Sequence, residues 1–316
     1  MVNLGVLFPG QGSQYVGMGK LAYENSELVR KIYEHADAIL NFPLSKISFE
    51  GPEEKLIQTD ISQPAIFVMS LALFYLIKEK NPKWKPLVGG GLSLGEWTAL
   101  TAARSISFED ALKLVQLRGR YMQEACQQQT GAMHSVLGMT LETLEKLLIE
   151  YSYEMVSIAN INSSNQVVIS GDKTQIESFS TILKEKGAKK IIPLKVAGAF
   201  HSKLMESAKQ KLALHLDSIE FHEMEFPIVS NYLGRFYESK LEIKEALLNQ
   251  ITGSVQWVKD MELMAGKGVL EYLEIGPNKV LKGLAKNIIP NAVIFNIETE
   301  EQIKDIFEKN QERGVL

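Results

Sequence analysis

Cysteine is almost missing. Cys126 is the only one in 316 residues, so no internal disulfide can form and no cluster of cysteines can hold a metal. A reducing, cytoplasmic setting is the expectation that follows. A basic excess is missing too. The 38 acidic side chains outnumber the 34 basic ones, for a net charge of -4, and the electrostatic footprint of a nucleic-acid binder is therefore lacking. Long hydrophobic runs are also absent. The longest apolar stretch lies within Ala65–Ile77, too short to cross a bilayer, and Pro64 before it suits the first turn of a buried helix. Met1-Val2-Asn3 leads directly into apolar Leu4–Phe8 with no charged leader, so no signal peptide is expected. What is present is a globular composition, 45% hydrophobic and 23% charged, which is enough for a real core.

Strand and helix signals alternate along the chain. Leu4–Phe8 reads as a buried strand followed by the tight loop Pro9-Gly10-Gln11-Gly12-Ser13, and Glu27–Leu40 has helical spacing. Pro86–Gly90 is a short apolar run ending in glycines, and Leu94–Ala103 reads as the next helix. This order predicts an α/β protein whose function sits at strand ends. The middle of the chain differs. Ala132–Gly138, Val156–Asn160, Val167–Ser170 and Lys190–Leu194 read as strands, and Leu141–Tyr151 and Lys173–Glu185 as helices. The resulting βαββαβ order is ferredoxin-like. It predicts an inserted subdomain at 127–196, within a body formed by 1–126 and 197–316.

The strongest local signal is Gly91-Leu92-Ser93-Leu94-Gly95 between a strand and a helix. In that context a G-x-S-x-G turn presents its serine as a nucleophile, although a serine there could also simply cap the helix. The Leu94 amide opens the helix and can face a developing oxyanion. Gln11 N–H, in the loop after the first strand, is the candidate second donor; an ordinary turn is the alternative. No Gly-Lys-Ser/Thr ending marks a phosphate loop. Five histidines compete as base. His35 and His215 lie on polar helical segments, His134 in a strand of the insert, and His222 in a polar approach to a strand. His201 lies in a strand-to-helix loop after Ala197-Gly198-Ala199-Phe200, the same kind of address as Ser93. Asp172 follows Ser93 and precedes His201, but reads as a helix cap. No acid completes a triad, and a dyad oriented by a carbonyl is chemically sufficient.

Seven stretches in order resemble the malonyl-CoA:acyl carrier protein transacylases across nearly the whole chain. They are Phe8–Gln14, Gly91–Glu96, Gln116–Arg120, Ala159–Ser163, Ala199–Ser202, Val229–Asn231 and Glu274–Pro277. The resemblance implies an α/β-hydrolase-like body with a parallel sheet, a ferredoxin-like insert, and an active site in the cleft between them. It implies Ser93 as acyl carrier, His201 as base, the amides of Gln11 and Leu94 as oxyanion hole, and the Gln250 carbonyl as the group that orients the histidine. It also places Arg118 in the acyl pocket, where a planar fork can hold the free carboxylate of a malonyl group. Phe200 before the histidine agrees with malonyl, and Asn160 or Asn162 is expected near the substrate. One residue departs from the family: Leu92 stands where histidine is usual, and a packing change is the expected consequence.

The expected activity moves malonyl from coenzyme A to the phosphopantetheine thiol of an acyl carrier protein through a malonyl-serine. A hydrolase on the same scaffold and a non-catalytic docking module are the rival readings. No metal or cofactor is called for. The expected partners are malonyl-CoA and the carrier protein, with no nucleic acid and no membrane, for a chain acting as a monomer. Lys184, Lys186, Lys189 and Lys190 are candidates to steer an acidic carrier.

Overall fold

In the computed structural model, which describes residues 4–312, two separate sheets carry the fold. Strands β1 (Leu4–Phe8), β2 (Gly89–Gly91), β9 (Glu271–Ile275) and β10 (Val293–Ile297) form a parallel sheet in the order β10-β9-β1-β2. All five residues of β1 are buried, as expected for a central parallel strand covered on both faces. The second sheet is antiparallel. It contains β3 (Gly131–Leu137), β4 (Val156–Ser163), β5 (Gln166–Asp172) and β6 (Lys190–Pro193) in the order β4-β5-β3-β6. A short pair, β7 (Val229–Ser230) and β8 (Arg235–Phe236), lies beside the end of β2 through a bridge between Gly89 and Ile228.

The parallel sheet contributes to two apolar clusters, and the antiparallel sheet packs a third against its helices. In the antiparallel unit, Val136, Val167 and Ile169 from the strands meet Leu144, Ile176 and Phe179 from the helices Leu141–Glu150 and Lys173–Glu185. Thr140 and Asp172 cap those two helices by accepting from Thr143 N and Gln175 N, so Asp172 is the helix cap that its sequence context indicated. The unit is stitched to the rest by main-chain bonds from Ile161 N to Val255 O (3.0 Å) and from Val255 N to Ala159 O (2.8 Å). Those bonds tie edge strand β4 to the body and set the width of the space between the two units.

Two elements run further than their residues suggest. The buried helix spans Thr59–Lys80 and holds Pro64 in its interior, not in its first turn. Thr59-Asp60-Ile61-Ser62-Gln63 looks like a polar lead-in, but buried partners await Thr59 and Gln63. The helix is long and apolar enough to cross a membrane, yet 89% of its most apolar window is buried inside the protein, so it serves as a core helix. Strand β4 continues to Ser163, with irregularities in register around Asn160 and Ser163. Asn160 and Asn162 are both buried and both line the same cleft.

The helix Phe108–Gln128 crosses the start of Thr59–Lys80 at Gly119, where an added Cβ would lie 2.4 Å from Thr59 O. Arg118 and Gln63 are brought together by this approach. Gly119→Ala tests it, because two effects oppose each other. Helix propensity favours alanine by about 1 kcal/mol, while overpacking against fixed backbone costs about 1–3 kcal/mol. The clash should win, and the variant should melt below the parent in thermal unfolding. A raised Tm would show that the two helices can separate freely at this point.

Candidate active site

The loop between β2 and the helix Leu94–Ala102 holds Ser93 in a strained turn, with φ 55 and ψ -100. Close approach explains the glycines around it. A Cβ on Gly91 would sit 2.2 Å from the Gly95 carbonyl carbon, and one on Gly95 would sit 2.0 Å from Phe8 O. The turn is held from below by Asn231, whose Oδ1 accepts from Ser93 N (2.7 Å) and whose Nδ2 donates to Gly91 O (2.9 Å). Such strain persists only where the surroundings enforce it.

Of the five histidines, the structure brings only His201 to Ser93. Its Nε2 lies 2.8 Å from Ser93 Oγ, and its Nδ1 lies 2.7 Å from the main-chain oxygen of Gln250. A carbonyl can only accept, so Nδ1 carries the proton and Nε2 is left to accept from the serine hydroxyl. Among the described residues no carboxylate serves as third member. His134 bonds Ser180, His215 bonds Tyr121, and His35 bonds Glu109, while His222 lies at the surface beside Glu220. Burial, together with the positive charge of Arg118, pushes the His201 pKa down to about 4. The imidazole is therefore neutral at neutral pH, ready to take a proton.

Arg118 is buried and closer to the nucleophile than an anchor remote from the reacting atoms would be. One terminal nitrogen donates to Ser93 Oγ (2.9 Å) and to Gln250 Oε1 (3.0 Å), and the other to Gln63 Oε1 (2.6 Å). All three acceptors are neutral, and Nε has no partner among the described residues. Burial lowers the Arg118 pKa to about 10, while the Glu96 charge works in the opposite direction. Gln63 also reaches Gln11 Oε1 (3.4 Å), and Gln11 reaches Thr59 Oγ1 (3.4 Å). Gln63 carried no signal in the sequence except that a polar residue preceded an apolar run.

A cleft of about 360 Å³ joins these groups. Gln11, Ser93, Leu94, Arg118 and His201 line it, with Asn160, Asn162 and Phe200. Gln250 does not reach the cleft wall and acts from behind the histidine and arginine. Leu94 is the first residue of its helix, so its N–H has no carbonyl in a preceding turn to bond. Leu92, expected to face away from the serine's side, lines the cleft with Val280 and Leu284. Leu92 packs here against an apolar cluster, so this part of the wall is apolar where a polar ring is usual.

A serine hydroxyl joined to a histidine of defined tautomer, at the end of a parallel sheet, belongs to the class of sites suited to nucleophilic group transfer. Comparison with known proteins narrows that class. The acyl transferase domain family matches residues 6–245. The malonyl CoA-acyl carrier protein transacylase of Bacillus subtilis (strain 168) is 40% identical over 290 residues, covering 91% of each chain. The crystal structure of the Clostridium perfringens transacylase of the same name has a TM-score of 0.93 at 35% identity, covering 99% of both chains. A malonyl-transacylase solved in complex with a type II PKS acyl-carrier protein has a TM-score of 0.93 at 36% identity, covering 98% of this chain and 100% of its own. The chain belongs to the acyl transferase family.

The His201 environment sets a pH signature. A histidine base works when neutral, so activity is retained above its pKa and lost as pH falls through it. Acylation of Ser93 by a neutral acyl thioester should hold level on acidification past the ordinary histidine value of 6.5 and fall only near about 4. Stopped-flow rates, with circular dichroism at each pH to confirm folding, would check this. A midpoint near 6.5 would mean that the imidazole is hydrated and differently held.

Proposed function

We propose that this chain transfers a malonyl group from coenzyme A to the phosphopantetheine thiol of an acyl carrier protein, with Ser93 as the covalent carrier. The observation that carries the reading is a buried arginine, bonded only to neutral acceptors, within hydrogen-bond reach of the nucleophile. A malonyl ester bears its free carboxylate one methylene beyond the ester carbonyl. Its anchor must therefore sit beside the serine, as Arg118 does. An acetyl group offers nothing to that cation and leaves it unpaired in a buried site.

The cycle is ping-pong. His201 Nε2 takes the Ser93 proton as Oγ adds to the thioester carbonyl, and the negative charge forms on the carbonyl oxygen. The amides of Gln11 and Leu94 receive that charge. The tetrahedral adduct collapses, the C–S bond breaks, and His201 returns its proton to the departing thiolate. The carrier thiol then gives its proton to His201, attacks the malonyl-serine ester and regenerates Ser93. No metal or redox group enters any step. The Gln250 carbonyl supports the imidazolium by accepting from Nδ1, the role an acid plays in a triad.

We read the body, 1–126 with 197–316, as α/β-hydrolase-like and the insert, 127–196, as ferredoxin-like, with a monomer acting in the cytoplasm. The carrier approaches the mouth of the cleft between them. Lys189 and Lys190 are exposed on the insert, Lys195 lines the cleft, and exposed Lys279 precedes Val280 in the opposite wall. Lys186 is already engaged with Glu150 and the Tyr151 ring, which makes it a weaker candidate than the others. A hydrolase on this scaffold would have little use for a carboxylate anchor. The docking module is disfavoured because the Ser93–His201 pair is assembled.

Arg118→Ala is the test. Losing one member of a desolvated charge pair costs about 2–5 kcal/mol, so malonyl transfer should drop about 10²–10³-fold in kcat/KM. Acetyl transfer should also drop, because Ser93 Oγ loses a donor, but by a much smaller factor. Arg118→Lys should recover only part of the malonyl rate, since an ammonium has no fork. The readout is competition between malonyl-CoA and acetyl-CoA, scored by the intact mass of the acyl-enzyme. Equal loss of both acyl groups would make Arg118 a structural residue and remove the basis for malonyl.

A further inference from the structure

Behind the nucleophile lies a second layer of polar side chains that the transfer cycle leaves unused. Glu96, in the first turn of the helix Leu94–Ala102, is fully buried. Its Oε1 accepts from the Tyr237 hydroxyl (2.6 Å), and its Oε2 accepts from Gln250 Nε2 (2.6 Å) and Asn231 N (3.2 Å). Asp260 lies next to it, equally buried. One Asp260 oxygen accepts from Asn231 Nδ2 (2.8 Å), and the other has no partner among the described residues.

The bonding pattern decides which carboxyl carries the charge. Burial pushes both pKa values up, and the two negative charges oppose each other. Glu96 is met by three donors, and it sits in the first turn of a helix, where the dipole favours an anion. Asp260 is met by a single donor. The geometry therefore suits an ionised Glu96 and a protonated Asp260.

Gln250 connects this anion to the cation above it. Its Oε1 accepts from Arg118, and its Nε2 donates to Glu96 and to Ser93 O (2.9 Å). Only one orientation of the amide satisfies both ends, because turning it over sets donor against donor and acceptor against acceptor. The spacing meets two competing requirements. A carboxylate bonded directly to Arg118 would occupy the fork that an incoming acyl carboxylate must use. With no counter-ion, the buried guanidinium would be an uncompensated charge.

We propose that Glu96 is the counter-ion of Arg118, acting through the Gln250 amide. It keeps the guanidinium charged and in place while leaving its bonding atoms free to exchange neutral partners for a substrate carboxylate. This assignment rests on the reading of Arg118 as the acyl anchor. Glu96 is a positioning residue: it touches neither the substrate nor the reacting atoms. The other titratable or charged groups facing the pair are His201 beside Arg118, Tyr237 at the end of β8, and Asp260 with neighbouring Lys259.

The experiment follows Ser93 acylation by malonyl-CoA and by acetyl-CoA in the full-length wild type, Glu96→Gln and Glu96→Asp. Measurements run from neutral pH to beyond about 10, the value to which burial lowers Arg118. Wild type should lose its malonyl preference at the alkaline end. Glu96→Gln keeps the volume and, with its oxygen toward Gln250 and its NH2 toward the Tyr237 hydroxyl, the bonding pattern, but removes the charge. Its malonyl-to-acetyl ratio at neutral pH should fall about 10–100-fold, the size of one hydrogen bond to a charged group. Its alkaline limb should move to lower pH. Glu96→Asp keeps the charge, so its limb should stay near the wild-type position even though the shorter side chain lowers the rate. If Glu96→Gln does not fold, the side-chain carboxyl shift of Glu96, read by NMR in labelled wild type, supplies the answer: ionised at neutral pH supports the proposal. A protonated Glu96 overturns it, as does an unmoved limb in Glu96→Gln. Wild type that takes no malonyl would instead end the transfer reading. Wild type that takes malonyl, with an unmoved limb in Glu96→Gln, ends only this one.

Discussion

A guanidinium held out of water, within 2.9 Å of a serine oxygen, is the constraint on which the rest of the site depends. Such a charge costs several kcal/mol to bury and must be surrounded by acceptors. Each neighbour can be understood as an answer to that cost. Gln63 extends the core helix by a polar first turn so that its amide can reach Arg118. Gly119 removes a side chain so that the two helices approach closely enough for the bond to form. Gln250 faces the guanidinium with an oxygen and turns its nitrogen toward the deeper carboxylate.

The same cation shapes the histidine. Arg118 and burial together hold His201 neutral, and the Gln250 carbonyl chooses which ring nitrogen carries the proton. Ser93 Oγ is then used fully: it donates to His201 and accepts from Arg118. One residue, Gln250, thus works from its backbone on the base and from its side chain on the cation. A carboxylate in the carbonyl's place would raise the imidazole pKa and add a negative charge beside the acyl carboxylate's anchor. The absence of a third acid fits an enzyme whose substrate is itself an anion.

Much of the fold was legible because its signals are local. Leu4–Phe8, Glu27–Leu40 and Lys173–Glu185 run between the residues where their apolar patterns and caps place them. The Gly91–Gly95 turn announced Ser93, and the strand-to-helix address singled out His201. Errors arose where a tertiary partner outweighed the local pattern. Thr59–Gln63 resembles a loop because its polar residues have no local reason to be helical; the reason is Arg118, 55 residues away from Gln63 in sequence. The strand expected to stop at Asn160 continues to Ser163, through two irregularities that no local pattern signals. Leu92 does pack, but its place in the cleft wall depends on Val280 and Leu284, far along the chain. The network of Glu96, Tyr237, Asn231 and Asp260 was not legible as a network: Glu96 and Asn231 lie in stretches that carry the resemblance, but nothing local joins them to each other or to Tyr237 and Asp260.

The most direct measurement of the central claim is the intact mass of the wild-type chain after brief exposure to malonyl-CoA, followed by addition of a carrier protein bearing its phosphopantetheine arm. One malonyl group should appear on the protein, map to the peptide containing Ser93, survive in buffer, and move to the carrier thiol when the carrier is added. Release of free malonate without an accumulating adduct, or a malonyl group found on any residue other than Ser93, would contradict the account.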